Sequence, residues 1–142
     1  MIETIKSNDN ILAIILRANY QSEGINFFTP NEFSQQLGYM NRPKGYEILP
    51  HLHNKVERKV EYTNEVLIIK SGQVRVDLYD ENKIYFISQI LNKGDVILLV
   101  RGGHGFEMLE QSEMIEIKQG PYINDDDKTR FKSILKEKIK IK

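Results

Sequence analysis

The chain has 142 residues, and its 20 basic and 20 acidic side chains cancel at neutral pH. This length suits one well-buried core, so we expect a single domain over residues 1–142. A zero net charge offers no long-range field for a polyanion, which argues against nucleic acid as a partner. The chain has no cysteine, which excludes disulfides and thiolate metal sites and leaves histidine, aspartate and glutamate as candidate metal ligands.

The sequence contains no recognisable targeting or membrane-spanning segment. The N-terminal residues MIETIKSNDN lack the basic-then-apolar layout of a signal peptide. The longest apolar run, ILAIIL at residues 11–16, is too short to span a bilayer. We therefore expect a soluble cytoplasmic protein with no membrane partner.

Short apolar runs separated by turn residues predict an all-β sandwich or small barrel. In QVRVDLY, the side chains of Val74, Val76 and Leu78 share one face of an extended strand, as expected where one face is buried. The runs EVLIIKS and DVILLV are apolar on both faces and predict central strands, for which a second subunit is a candidate outer cover. The predicted strands are residues 11–19, 24–28, 45–53, 64–71, 73–79, 83–91, 95–100, 104–109 and 113–119.

Two segments predict helices. In TPNEFSQQLG, Thr29 is placed to cap a short helix over residues 30–37, and Glu32 completes a capping box. From residue 127 to residue 142, the spacing of apolar residues predicts a C-terminal helix that packs on the β-structure. Its apolar face would consist of Phe131, Ile134, Leu135 and Ile139.

Two of the three histidines, His51 and His53, lie one residue apart. On the strand predicted over residues 45–53 they point to the same side, so their imidazoles can share one metal ion. Gly45 precedes the pair after five intervening residues. Downstream, Glu65 is followed after six intervening residues by Gly72, the turn residue between two predicted strands.

A second glycine-led run ends in the third histidine. Gly94 opens the strand-like run DVILLV, after which two adjacent glycines precede His104. This arrangement resembles the two motifs of the cupin superfamily. The first motif is glycine, five residues and HxH, continued by glutamate, six residues and glycine, and the second is matched by the run from Gly94 to His104. The resemblance covers roughly residues 40–120.

The resemblance implies a small antiparallel β-barrel or jelly roll that holds one divalent metal ion in its interior. At the matching positions the implied ligands are His51, His53, Glu65 and His104. Three imidazoles and one carboxylate leave the ion with net positive charge and open positions for water, a bidentate oxygen ligand or dioxygen. Iron, manganese, zinc, nickel and cobalt all accept these donors, so the residues do not name the metal.

The chain departs from the family pattern between the histidine pair and the glutamate, where NKVERKVEYTN supplies eleven residues instead of three or four. Glu57 sits at the shorter spacing and is the alternative carboxylate ligand. We favour Glu65, because its distance from Gly72 and the strand between them place it in the barrel. The insertion predicts a long loop over the barrel mouth, where long loops are often functional.

Four further residues are candidates for contacting a ligand. Arg58, on the insertion, suits an anionic ligand because its planar guanidinium binds two oxygens at once. Glu47 has the same strand parity as His51, and Gln119 lies on the apolar face of the last predicted strand. Tyr122 follows at the predicted rim.

The resemblance leaves three functions open. The first is a metal-dependent isomerase, epimerase or dioxygenase acting on a small polar molecule such as a sugar or sugar nucleotide, since small cupins of this kind are associated with bacterial surface-polysaccharide gene sets. The second is a metal-independent enzyme similar to nucleotide-sugar ketoisomerases, with the histidine pair as acid or base. The third is a ligand-binding or sensing protein without turnover. The candidate catalytic residues are His53 and Glu57, and we expect a homodimer.

Overall fold

A computed structural model describes residues 1–121 and 128–142 of the chain. Within these ranges the chain is all-β, with ten strands and a 3₁₀ turn at Lys136–Lys138 but no α-helix. No helix in these ranges is long and apolar enough to cross a membrane. The strands are β1 (Ile2–Ser7), β2 (Asn10–Leu16), β3 (Gly24–Phe27), β4 (Gly38–Asn41), β5 (Glu65–Ser71), β6 (Gln73–Tyr79), β7 (Tyr85–Asn92), β8 (Val96–Leu99), β9 (Gly103–Met108) and β10 (Glu113–Lys118).

The strands form three antiparallel sheets. Five strands in the order β1-β2-β8-β5-β10 make the largest sheet, β7-β6-β9 make the second, and β3 pairs with β4 in a small hairpin. The two larger sheets share one apolar core, as expected of a β-sandwich. Its buried side chains are Ile5, Leu12, Ala13, Ile15, Leu67, Ile69, Val74, Val76, Leu78, Leu91, Ile97 and Leu99. The predicted inward face of β6 is thereby confirmed, but its other face, which carries Arg75, Asp77 and Tyr79, is buried as well.

The opposite face of the five-stranded sheet is also buried. The segment 28–37 covers it and contributes apolar side chains to a second cluster. This second cover explains why β5 and β8 are apolar on both faces, and here it comes from the chain itself. The packed residues are Ile14, Val66, Leu98 and Val100 from the sheet side and Phe28, Phe33 and Leu37 from the segment.

The helix predicted over residues 30–37 is wrong, because local side-chain hydrogen bonds hold this segment as an irregular loop. The Thr29 hydroxyl donates to Gln36 Oε1 at 2.7 Å. The Gln36 amide donates to the carbonyls of Pro30 at 3.0 Å and Phe33 at 2.9 Å. Competition of this kind between side-chain and helical hydrogen bonds is common for short polar segments. The capping signal therefore marks a loop that presents its apolar residues to the sheet.

The predicted C-terminal helix is wrong for the described residues 128–142, which are extended apart from the 3₁₀ turn and end beside β7, at the edge of the three-stranded sheet. The Ser88 N–H donates to the Lys140 carbonyl at 2.8 Å, and the Lys142 N–H donates to the Ser88 carbonyl at 3.2 Å. The Ile134 N–H donates to the hydroxyl of Tyr79 at 2.9 Å. These bonds to the sheet replace the hydrogen bonds that a helix would make internally, so tertiary contacts override the helical pattern.

The strand predicted over residues 45–53 is also wrong. Residues 42–63 contain no strand, and every one of them is exposed. Pro50 has no backbone N–H to donate, and no described strand lies beside this stretch to pair with it. The other eight predicted strands are present, whereas β1 and β4 were not predicted.

The turn between β8 and β9 requires glycine at position 102. Gly102 has φ +72°, and a Cβ there would collide with the carbonyl oxygen of Tyr79. We expect Gly102→Ala to lower the free energy of unfolding by more than about 1 kcal/mol, because alanine disfavours this φ and does not fit. Gly105→Ala is the matched control, since a Cβ at Gly105 meets nothing within 4 Å. Urea unfolding measures both, and a Gly102→Ala variant as stable as wild type would contradict this turn.

Candidate functional site

A buried carboxylate and an imidazole meet where the two large sheets approach each other. Glu65 is the first residue of β5 in the five-stranded sheet, and His104 is in β9 of the three-stranded sheet. His104 Nε2 lies 3.0 Å from Glu65 Oε2, with side-chain exposures of 28% and 7%. The carboxylate is therefore enclosed, while the imidazole remains accessible from one side.

The charge of Glu65 is compensated by its neighbours. The hydrogen bond from His104 lowers the pKa of Glu65 and outweighs burial, which raises it. Lys128 Nζ and Lys118 Nζ lie 3.6 Å and 3.9 Å from Glu65 Oε1 and lower the pKa further. Glu65 is thus an ionised acceptor at neutral pH, so His104 Nε2 carries the proton of their hydrogen bond. The other ring nitrogen of a neutral His104, Nδ1, then has a lone pair for a ligand.

The pair lies in the wall of a cavity of about 750 Å³. This volume is typical of sites for small molecules, which span about 300–1,000 Å³. Aromatic rings and charged groups alternate around the wall, an arrangement that suits a ligand with both apolar and polar faces. Besides Glu65 and His104, the lining includes Tyr62, Arg101, Phe106, Glu116, Lys128, Arg130 and Phe131.

The last strand presents its charged side chains, not its isoleucines, to the cavity. Lys118 lies opposite Glu65 in the β5–β10 register, and Glu116 lines the cavity. Ile115 and Ile117 lie on the outer face of the sheet and are 45% and 49% exposed. Because side chains alternate along a strand, Gln119 falls on the isoleucine side.

Gln119 therefore does not line this cavity. Its Oε1 accepts a hydrogen bond from the Asn64 N–H at 2.7 Å, and its Nε2 donates to Ser34 Oγ at 3.4 Å. It thus ties the start of β5 to the segment that covers the sheet. Tyr122, the other candidate near this end, lies outside the described residues.

Five predicted site residues lie together on residues 42–63, which we call the exposed segment. They are Glu47, His51, His53, Glu57 and Arg58. The structure thus places Glu65, not Glu57, beside His104. The rings of His51 and His53 meet edge to face, with centroids 5.4 Å apart. The Leu49 carbonyl lies 2.9 Å from His51 Nδ1, so this nitrogen is the donor and the lone pair of a neutral ring is on Nε2.

The predicted metal ligands fall into two pairs. Two donors about 2.1 Å from one ion and at right angles to each other are about 3.0 Å apart, so Glu65 Oε2 and His104 Nε2 have the spacing of adjacent ligands, but an ion would have to displace the proton on Nε2. The part of the chain that the structure describes holds no group of three histidine, aspartate or glutamate side chains placed to bind an ion. The full set of four does not fit a metal ion in this arrangement.

Sequence analysis missed the cationic and aromatic residues that surround the pair. The position of Lys118 can be deduced from Met114, which has the same strand parity and packs against the core. That parity places Glu116 and Lys118 on the inner side of β10. For Arg101, Phe106 and Lys128 the sequence carries no comparable signal, since the tertiary packing of separate segments brings them to the cavity.

Three comparisons with known proteins found no match for this chain. The chain matches none of the protein-family models, none of the curated proteins and none of the solved structures against which it was compared.

The lowered pKa of Glu65 predicts a contribution to acid sensitivity. An ionised Glu65 stabilises the folded state above about pH 4.3, the ordinary glutamate pKa, and this contribution is lost as the pH falls through the lower pKa of the folded state. We expect the unfolding free energy of Glu65→Gln to fall less than that of wild type between pH 6 and pH 3. Glu107→Gln is the comparison: Lys136 and Arg75 also lower the pKa of Glu107, but its side chain is 36% exposed, so solvent screens the pairing and the change in the profile should be smaller. Parallel pH profiles of wild type and Glu65→Gln would contradict the assignment.

Proposed function

We propose that this protein is an enzyme that binds a small polar molecule in the cavity and transfers a proton to or from it through the Glu65–His104 pair. The observation that supports this most directly is the hydrogen bond of 3.0 Å between an enclosed carboxylate and an accessible imidazole in the cavity wall. A base that is oriented by an ionised carboxylate is a common arrangement for proton transfer.

In this proposal each member of the pair has a separate role. His104 Nδ1 accepts a proton from a hydroxyl or from a carbon next to a carbonyl, and returns it to the product. Glu65 holds the ring through Nε2 and stabilises the imidazolium that forms. Such a sequence isomerises or epimerises a substrate without any net change in its composition.

The walls of the cavity favour a sugar derivative, and among these an anionic one such as a sugar nucleotide. Phe106 and Tyr62 offer aromatic faces to the apolar side of a sugar ring, while Arg101 and Lys128 offer charge to a phosphate. Arg101 also lies over the Tyr62 ring, 5.0 Å from its centroid, so charge and aromatic surface are adjacent. The same features also suit a binding or sensing protein without turnover.

Proton transfer by His104 has a direct test. The protein is incubated in D₂O with a panel of sugar nucleotides and sugar phosphates, and proton NMR follows product formation and deuterium incorporation at carbon. We expect His104→Ala to lower kcat by about 10²–10⁴-fold, the usual contribution of general acid–base catalysis. Glu23→Gln, at an exposed position outside the cavity lining, is the control and should retain turnover. Binding without exchange or product in wild type would favour the sensing function, and full activity of His104→Ala would contradict the proposal.

A mononuclear metal centre is the second candidate, and two observations favour it. Glu65 and His104 have the spacing of adjacent ligands. His51 donates through Nδ1 to the Leu49 carbonyl, and a hydrogen bond of this kind orients many metal-binding histidines so that the other ring nitrogen binds the ion. His51 and His53 would complete the ligand set only if the exposed segment moved to the cavity. A bound divalent ion would supply a Lewis acid for the substrate oxygen.

Metal content separates the two candidates. If the second holds, tag-free wild type should contain nearly one metal ion per chain by elemental mass spectrometry. His53→Ala and His104→Ala should then both lose it, because each removes a neutral imidazole ligand, while Glu57→Gln should retain it. Metal-free wild type that still turns over substrate would contradict the metal centre and leave proton transfer by His104 in place.

A further inference from the structure

The exposed segment carries large apolar side chains that are left accessible to solvent in the described structure. Every residue from 42 to 63 is exposed, and no backbone–backbone hydrogen bond joins residues 47–62 to another described residue. Apolar side chains recur along its length with exposures from 49% to 80%. They are Tyr46, Ile48, Leu49, Leu52, Val56 and Val60. Large apolar side chains that are exposed in such numbers along one segment point to an interaction site.

Part of the segment also has the pattern of a β-strand. In KVERKVE, residues 55–61, the β-branched Val56 and Val60 share one face with Arg58 between them, and the opposite face is charged throughout. A strand of this pattern needs a neighbour for its N–H and C=O groups and an apolar surface beside Val56 and Val60.

The molecule offers such a surface at β10. This strand is at the edge of the five-stranded sheet, and among the described residues it pairs with β5 alone. An edge strand presents unpaired N–H and C=O groups to an added strand. Ile115 and Ile117 on its outer face are about half exposed, and they continue the apolar surface that the segment 28–37 covers elsewhere.

The charges of the two surfaces are complementary. The exposed segment carries five basic and three acidic side chains. Residues 110–118, around β10, carry three glutamates and one lysine. An intermolecular contact between them therefore brings net positive charge against net negative charge.

We propose that the exposed segment of one copy of this chain adds to the β10 edge of a second copy, with residues 55–61 as the added strand. Each copy has one such segment and one such edge, so a two-fold exchange covers both surfaces on both copies. Each partner contributes about 20–30 residues to a standard interface, and the length of the segment 42–63 alone falls in this range. The occupant is thus a second copy of the same chain.

The exchange brings the histidine pair to the cavity of the second copy. Glu116 is in the middle of β10 and lines the cavity, so a strand added to β10 borders that cavity. His51 and His53 precede the added strand by only a few residues. This proposal does not depend on the reaction, because it rests on the segment and the edge alone.

Measurements of the oligomeric state and of amide hydrogen exchange together test the proposed dimer. Wild type should sediment as a dimer, with the amides of residues 55–61 protected from exchange. Val60→Asp on the segment and Ile117→Asp on β10 should each give a folded monomer in which this protection is lost. Ile84→Asp is the matched control, because Ile84 is 63% exposed in the β6–β7 turn. It should remain a dimer.

Three results would overturn the proposal. Monomeric wild type with unprotected segment amides would show that the segment has no partner. A monomer with protected amides would show that the segment docks on its own chain. A dimer that survives both Val60→Asp and Ile117→Asp would place the interface elsewhere. Turnover measured on the same variants reports separately on the proposed function.

Discussion

The central constraint on this structure is a five-stranded sheet whose inner strands are apolar on both faces. Leu67 of β5 packs into the core between the sheets, while the adjacent Val66 packs on the opposite face. Both faces must therefore be removed from water, because apolar surface is stabilising only when it is buried. The three-stranded sheet covers one face, and the segment 28–37 covers most of the other. This second cover leaves Ile115 and Ile117 exposed, and these side chains are the apolar surface of the sheet that remains for a partner.

Two buried ion pairs show how similar chemistry serves different purposes. On the three-stranded sheet, Arg75 binds Asp77 through two hydrogen bonds of 2.8 Å and 2.9 Å, and Ser88 completes the shell of the carboxylate. Arg75 also pairs with Glu107 at 2.7 Å, so the polar groups of this pair are satisfied within the protein. Glu65 and His104 make one hydrogen bond and face a cavity. The first pair has the surroundings of a structural element, and the second has those of a reactive one.

Local sequence patterns predicted strands better than helices, and the reason is the source of each signal. The alternation in QVRVDLY reports a burial requirement that holds in any packing of the sheet. The apparent helical stripe of Phe131 and Ile134 requires only that some apolar residues face inward, and an extended tail with hydrogen bonds to Ser88 meets this requirement as well. The capping signal at Thr29 is a local hydrogen-bonding capacity that a loop uses equally well.

The sequence by itself determined the all-β architecture and most of the strand positions, and it marked Glu65 and His104 as candidate site residues, because periodicity and rare residue types are properties of the chain alone. The tertiary structure decided which candidates meet. Glu65 and His104 come together because β5 and β9 belong to sheets that share a core. Lys118 and Lys128 join them from segments that are distant in sequence. His51 and His53 remain apart from them, because the spacing of two residues along a chain cannot specify the neighbour that would make their segment a strand.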